Sequence, residues 1–194
     1  MFTLLKNYIA KTISVTDTEL ELVAQYFEEK TLRKKAFLLQ DHKVCNFIAF
    51  IATGAVRHFH VKDGMEKTCD ISFENSWVTD FQSFTTAKVG LMNLQVLEDT
   101  TLLLIEKTNL LALYKKCSKY ETFGRLMAEQ VAQRATEIAM SLSADKPEER
   151  FIHLINTHPF VFQRVPQKYI ANFLGISPES LSRLRKRIYN KQKS

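Results

Sequence analysis

The chain is poor in the residues that would set it apart from ordinary globular proteins. Five glycines and four prolines in 194 residues are too few for a fibrous repeat or a Pro/Gly-rich disordered chain. The three cysteines, Cys45, Cys69 and Cys117, are far apart and odd in number, which argues against paired disulfides, a CxxC redox site or a zinc knuckle. No apolar run approaches the roughly 20 residues of a membrane-spanning helix, so no membrane partner is expected. The opening Met1-Phe2-Thr3-Leu4-Leu5-Lys6 carries one cation and a broken apolar run, which does not read as a secretory signal. A reducing cytoplasm is the expected setting. A P-loop, a Ser/His/Asp set and paired acids are missing too, so we expect no enzyme and no resident metal or cofactor. What remains, 45% hydrophobic and 25% charged, can build one moderate core or two small ones.

Charge is unevenly placed. Residues 164–194 hold eight of the 27 Lys/Arg and one of the 21 Asp/Glu, a net of +7, which leaves −1 for residues 1–163. A cationic end of this kind seeks a polyanion, nucleic acid or an acidic membrane face, although a solvated basic tail has the same composition.

Thr16-Asp17-Thr18-Glu19 fits a capping box at the start of a helix whose face carries Leu20, Val23 and Phe27. Between about Ala36 and Glu106 the pattern changes to short strands: Phe47–Ala52, a break at Gly54, Ala55–Val61, Leu94–Leu97 and Leu102–Ile105, the last two separated by Glu98-Asp99-Thr100. Asp63-Gly64 predicts a type I′ hairpin, because both central positions need positive φ. Short strands with turns between them predict a small jelly roll or barrel.

Helical signals return after Lys107. Thr108 is a candidate cap for a short helix, and Ser118-Lys119-Tyr120-Glu121 a second capping box. A long helix should then run to about Leu142, with Phe123, Met127, Val131, Ala135, Ile138 and Leu142 near heptad spacing. That seam suits a dimer contact or packing on the chain's own strands. Ser143–Pro147 reads as a hinge or a helix start, and Phe151, Leu154 and Ile155 mark a further helix ending before His158-Pro159. The boundaries expected are 1–107 for the strand domain with its N-terminal helices, 108–143 for the connecting and dimerisation helices, and 144–194 for a DNA-binding domain.

The most informative stretch runs from Gln167 to Arg183. Ala171 is small where a second helix must cross, Gly175 can take the left-handed conformation that ends the first helix, and Ile176 plugs the core beneath. Ser177 is a good N-cap, with Pro178 at the first helical position. On the second helix Leu181, Leu184 and Ile188 share an inward side; Glu179, Arg183 and Lys186 lie opposite, flanked by Ser180 and Ser182. An apolar stripe opposite a cationic one suits a recognition helix in the major groove of double-stranded DNA. Arg183 can donate two parallel hydrogen bonds to guanine O6 and N7, and Glu179 can accept from a cytosine amino group or pair with Arg183. Gln167, Lys168, Ser177, Arg185 and Lys186 are candidates for phosphate contacts.

These residues resemble the Crp/Fnr family of bacterial transcription factors. Phe50-Ile51-Ala52-Thr53-Gly54-Ala55-Val56-Arg57 is similar to its strand–glycine–strand signature. Ile170-Ala171, Gly175-Ile176-Ser177 and Glu179-Ser180-Leu181-Ser182-Arg183 match its recognition motif. The resemblance implies an α+β architecture: an N-terminal cyclic-nucleotide-binding-type β-roll (jelly roll), a long dimerisation helix and a C-terminal winged helix-turn-helix. It implies a homodimer partnered by DNA, RNA polymerase and a small-molecule effector of unknown identity, with Glu179 and Arg183 at base-contacting positions. Pro178 stands where the family often has an arginine, so the target sequence does not carry over. The stretch Trp77–Lys88 lacks the family's Gly-Glu and Arg-Ser or Arg-Ala pairs. Without that guanidinium fork Lys88 is a poor phosphate partner, and no tight binding of cyclic AMP is expected. No cysteine precedes Cys45, against an iron–sulfur cluster. Only Tyr189–Ser194 follow the recognition segment, so the wing is expected to be truncated, with a short strand near Phe160–Arg164 as its remnant.

Trp77, Phe81 and Phe84, with Lys88, are the candidate ligand-binding residues of the roll; as aromatics they suit plain core equally. His58 and His60 share a strand face, and a two-residue hairpin loop would set Cys69 opposite His58 and Lys67 opposite His60. That set keeps a cupin-like, metal-dependent jelly-roll enzyme as the alternative, although its glycine and glutamate spacings do not fit and Lys67 would repel a cation. A third reading is an interaction protein that uses the helical end without DNA.

Overall fold

In a computed structural model the backbone is described for residues 1–191 and side chains through Ile188; of the expected tail Tyr189–Ser194, residues 189–191 continue the last helix and residues 192–194 lie outside the described residues. Three helices open the chain: α1 (Phe2–Thr12), α2 (Asp17–Glu21) and α3 (Val23–Tyr26). The strands follow as β1 (Glu28–Leu32), β2 (Phe37–Leu39), β3 (Phe47–Thr53), β4 (Val56–Lys62), β5 (Met65–Ser72) and β6 (Trp77–Val78). Helix α4 (Phe81–Thr86) precedes β7 (Asn93–Val96) and β8 (Thr100–Glu106). The rest is helical: α5 (Lys107–Lys116), α6 (Lys119–Ala144), α7 (Pro147–Thr157), α8 (Val161–Arg164), α9 (Gln167–Leu174) and α10 (Pro178–Lys191).

The strands form two antiparallel four-stranded sheets, ordered β1-β8-β3-β6 and β2-β7-β4-β5. Alternation explains how they stack. In β3 and β8, Ala49, Ile51, Leu102 and Leu104 point into the space between the sheets, where they meet Val56, Leu94 and Val96. Phe50, Leu103 and Ile105 point the other way, onto Leu5, Ile9, Val23, Leu113 and Phe123 of the flanking helices. Covering on both faces is why these strands read as unbroken apolar runs. Gly54 turns the chain from one sheet to the other at φ 104°, and a Cβ there would fall 2.3 Å from Thr100 Oγ1.

The Thr16 box forms as expected, with Glu19 N–H donating to Thr16 Oγ1 and Thr16 N–H to the Glu19 carboxylate. Asp63 and Gly64 both have positive φ, at 53° and 73°, between the paired residues Lys62 and Met65. Four local expectations need correction. Helix α5 starts one residue before Thr108, with Glu106 at its cap. Ser118 is itself in helical conformation and its hydroxyl caps nothing, because the chain turns into α6 through backbone bonds onto the Cys117 and Ser118 carbonyls. The segment Val161–Arg164 is a helical turn rather than a strand, with Val161 fully buried beneath it. A β-bulge makes Cys69 the extra residue of β5, so His58 faces Asp70 instead of Cys69, while His60 does face Lys67.

The C-terminal helices do not form a separate core. Phe151, Leu154, Val161, Ile170, Leu174, Leu181, Leu184 and Ile188 cluster with Ala55, Ile71, Phe73 and Leu97 of the strand region. Polar groups fix the same junction. Arg164 pairs with Glu74 and Glu98, and Arg134 of α6 with Asp70 at 2.9 Å.

Candidate nucleic-acid interface

Helix α9 ends because Gly175 takes φ 70°, ψ 29°. Ile176 N–H then reaches back to the Ala171 carbonyl at 3.0 Å and Gly175 N–H to that of Asn172 at 3.1 Å, which satisfies the last carbonyls of the helix. Ser177 caps the next helix, its Oγ accepting from Ser180 N–H at 3.2 Å, and Pro178 opens α10 where no N–H is needed. Leu181, Leu184 and Ile188 are buried, Leu181 completely. Pro178, Glu179, Arg183, Arg185 and Lys186 are exposed, with Ser180 and Ser182 half-buried, so the polar stripe faces solvent along the helix.

Arg183 Nη2 donates to Ser180 Oγ at 3.2 Å. The Glu179 carboxyl is held below its ordinary range by its own backbone N–H, then by the Ser177 hydroxyl, with the Arg183 charge adding to both. It therefore stays an acceptor at neutral pH. Arg185 stacks on Phe162 with its guanidinium carbon 4.6 Å from the ring centroid, while Arg187 pairs with Glu148. Gln167 and Lys168 are exposed at the start of α9. Of the cations counted from the sequence, Arg164 is neutralised inside the molecule and contributes nothing to this surface.

Sequence reasoning missed how α9 is seated. Asn172 Oδ1 accepts from Thr68 N–H at 2.6 Å and its Nδ2 donates to the Glu66 carbonyl at 3.0 Å. Arg57, 1% exposed, lies between the rings of Phe59 and Tyr169, at 4.2 and 4.0 Å, and bonds Thr68 Oγ1 and the Glu66 carboxylate. An arginine in a strand gives no sign in the sequence that a distant tyrosine will cover it.

The long seam of α6 divides. Phe123 is buried against Tyr8 and Trp77, and Met127 accepts a weak hydrogen bond from the Tyr8 hydroxyl, so both serve this chain's own packing. Val131 and Ile138 are half-buried, while Ala135 and Leu142 are exposed.

Several cavities border this helix. Trp77, Phe81 and Phe84 come together in one of about 270 Å³, whose other walls come from α5 and α6 and from Ile9, Ile48 and Ile105. Lys88 is not part of it; the cation at its edge is Lys107. A second, of about 420 Å³, lies between the β4–β5 hairpin and α6 and includes His58, Asp70, Ser72, Gln130 and Arg134. His58 Nε2 meets Ser72 Oγ at 3.1 Å, and burial pushes its pKa down. His60 Nδ1 meets Cys69 Sγ at 3.2 Å, and burial pushes that thiol up, away from the thiolate a metal needs. Among the described residues no three His, Cys, Asp or Glu side chains converge on a metal position.

No protein-family model matches the chain, and no curated protein matches its sequence. Solved structures do match its fold. FixK2 from Bradyrhizobium japonicum superposes with a TM-score of 0.69 at 13% identity over 86% of each chain. The c-di-GMP-responsive global regulator CLP of Xanthomonas campestris gives 0.68 at 16% identity over 91% of this chain and 93% of its own. A structure assigned to the Crp/Fnr family from Eubacterium rectale gives 0.65 at 13% identity, over 91% and 85%. The chain has the Crp/Fnr-like cyclic-nucleotide-binding fold. At these identities the likeness is one of fold.

Proposed function

We propose that the chain is a homodimeric, sequence-specific DNA-binding transcription regulator in which α9 and α10 form the helix-turn-helix and α10 enters the major groove. The observation that carries this is the solvent-facing stripe of Glu179, Ser182, Arg183 and Lys186. It lies opposite the buried Leu181, Leu184 and Ile188, on a helix held at a fixed angle by Gly175. Arg183 reads guanine, Glu179 reads cytosine, and Gln167, Lys168, Ser177, Arg185 and Lys186 hold phosphates. The regulators among the solved structures of the same fold support the assignment.

Dimerisation uses the open side of α6, where Val131, Ala135, Ile138 and Leu142 recur at heptad spacing. Pairing there sets the separation of the two recognition helices, and a dimer prefers half-sites about 34 Å apart. An effector acts only by binding one dimer geometry better than another. Cyclic AMP is not that effector. Asp80, which caps α4 through Ser83 N–H at 3.1 Å, occupies the space beside Gly90, and no arginine lies between Trp77 and Lys88.

Selection of binding duplexes from a random pool, followed by titration of the winner against a scrambled duplex, tests the reading. The expected result is tight, salt-sensitive preference for a two-fold symmetric site. Equal binding to both duplexes would remove sequence-specific regulation from consideration.

A further inference from the structure

The cavity of about 270 Å³ bounded by α4, α5 and α6 has a wall of unusual composition. Trp77, Phe84, Leu110, Leu113, Phe123 and Met127 make it apolar on several sides, and Lys107 stands at its edge. The Lys107 ammonium donates to the Phe84 carbonyl at 2.6 Å and to the Thr85 carbonyl at 3.2 Å, at the end of α4. Among the described residues it forms no ion pair. Two of its three N–H donors are thus used by neutral acceptors, and its charge, half-buried beside the Phe84 ring, has no anion among the described residues. Tyr114 also lines the cavity, its hydroxyl held over Gly124.

We propose that this cavity binds a single-chain amphiphile with an anionic head, an acyl carboxylate, whose tail lies along Phe84, Leu113 and Met127 and whose carboxylate pairs with Lys107. Taking about 30 Å³ per water-sized group, the space accepts a chain of about nine methylenes. The chain removes apolar wall from water, and the carboxylate supplies the charge that Lys107 lacks. Because α6 forms one wall, an occupant touches the helix that carries the proposed dimer seam. The site itself does not depend on the DNA reading, and its test needs no DNA, so the two can fail separately.

The full chain is titrated with decanoate, decanol and decyltrimethylammonium below their micelle concentrations, with stoichiometry read by native mass spectrometry and midpoint by thermal unfolding. One decanoate per chain and a saturable rise in midpoint are expected, with decanol about tenfold weaker and the trimethylammonium weaker still. Lys107→Gln should lose about tenfold in decanoate affinity while Lys107→Arg keeps it, and Leu111→Trp, which fills the cavity, should abolish binding. If Lys107→Gln fails to fold, the head-group series and Lys107→Arg carry the test. No saturable binding, as when a second chain already fills the space, would overturn the proposal. Equal affinity for the three head groups, or an unchanged Lys107→Gln, would overturn it too.

Discussion

Asn172 of α9 occupies the free edge of β5 as a strand residue would, its Oδ1 2.6 Å from the Thr68 amide nitrogen. Its Nδ2 donates to the Glu66 carbonyl, so one side chain satisfies two outward-facing backbone groups of an edge strand. Tyr169, one turn earlier, covers the buried Arg57 guanidinium. The orientation of the helix pair is therefore set by the β4–β5 hairpin as well as by the linker from α6.

Asn172→Ala leaves the Thr68 N–H and Glu66 C=O without partners. A loss of about 1–3 kcal/mol in unfolding free energy is expected from denaturant titration. The Thr68 amide should exchange with solvent faster than in the parent protein. An unchanged Thr68 exchange rate would show that α9 is seated by its apolar contacts alone.

Gly175 and Gly54 separate two kinds of glycine requirement. At Gly175 a Cβ meets only Arg150 Nη2, at 3.6 Å, so Gly175→Ala costs the left-handed backbone alone, about 1 kcal/mol. At Gly54 the added carbon would fall 2.3 Å from Thr100 Oγ1 in addition to a φ of 104°, so Gly54→Ala should lose several times as much. Urea unfolding of the two variants side by side checks this: equal losses would contradict a close approach of residue 54 to Thr100.

Stability should fall on acidification below neutrality. Burial, the largest influence on His58, lowers its pKa in the folded chain; Asp70 raises it and Arg134 lowers it further. His158 is lowered mainly by burial as well. Both take up protons in the unfolded chain near the ordinary value of 6.5 before they do so folded. Unfolding is thus favoured as pH drops through 6.5, and above it these groups contribute nothing. The lowered carboxyls of Glu74 and Asp99 add a separate loss as pH falls through the carboxylate range. Melting curves between about pH 5 and 8 should show the first loss, reduced in His58→Gln; an equal loss in that variant would assign it to other groups.

Placing a charge on the open side of α6 should break the proposed dimer. Ala135→Glu and Leu142→Glu together set like charges against each other across the seam, and sedimentation should move from dimer to monomer. Phe123 and Met127 are not useful for this test because they hold α6 to its own chain. A dimer that survives both charges would place the interface elsewhere.

Much of the local chemistry was legible in the sequence, though not the starts of α5 and α6, where neither Thr108 nor Ser118 caps; long-range packing was not. The turn at Asp63-Gly64, the Thr16 cap and the Gly175-Ile176-Ser177 joint each depend on residues within a few positions, and each formed as read. Counting from the hairpin sets Cys69 opposite His58, but the bulge adds a residue that no local signal announces. Spacing alone groups Phe123 and Met127 with Ala135 and Leu142. Which side of α6 meets the sheet depends on Tyr8 and Trp77, far away in the chain. In the same way Lys107, not Lys88, stands by the aromatic cavity, since the strand β8 brings it back beside α4.

Salt-dependent binding of the full chain to its selected duplex, with Arg183→Ala and Lys186→Ala beside it, tests the central claim most directly. With Lys168, Arg185 and Lys186 on phosphates in both subunits, log affinity should fall with log salt at a slope of about −5 between about 50 and 200 mM. Lys186→Ala should flatten that slope by about 2, and Arg183→Ala should keep the slope while losing about 1–3 kcal/mol of preference per half-site. A slope near zero, or an Arg183→Ala protein as selective as the parent, would contradict a recognition role for α10.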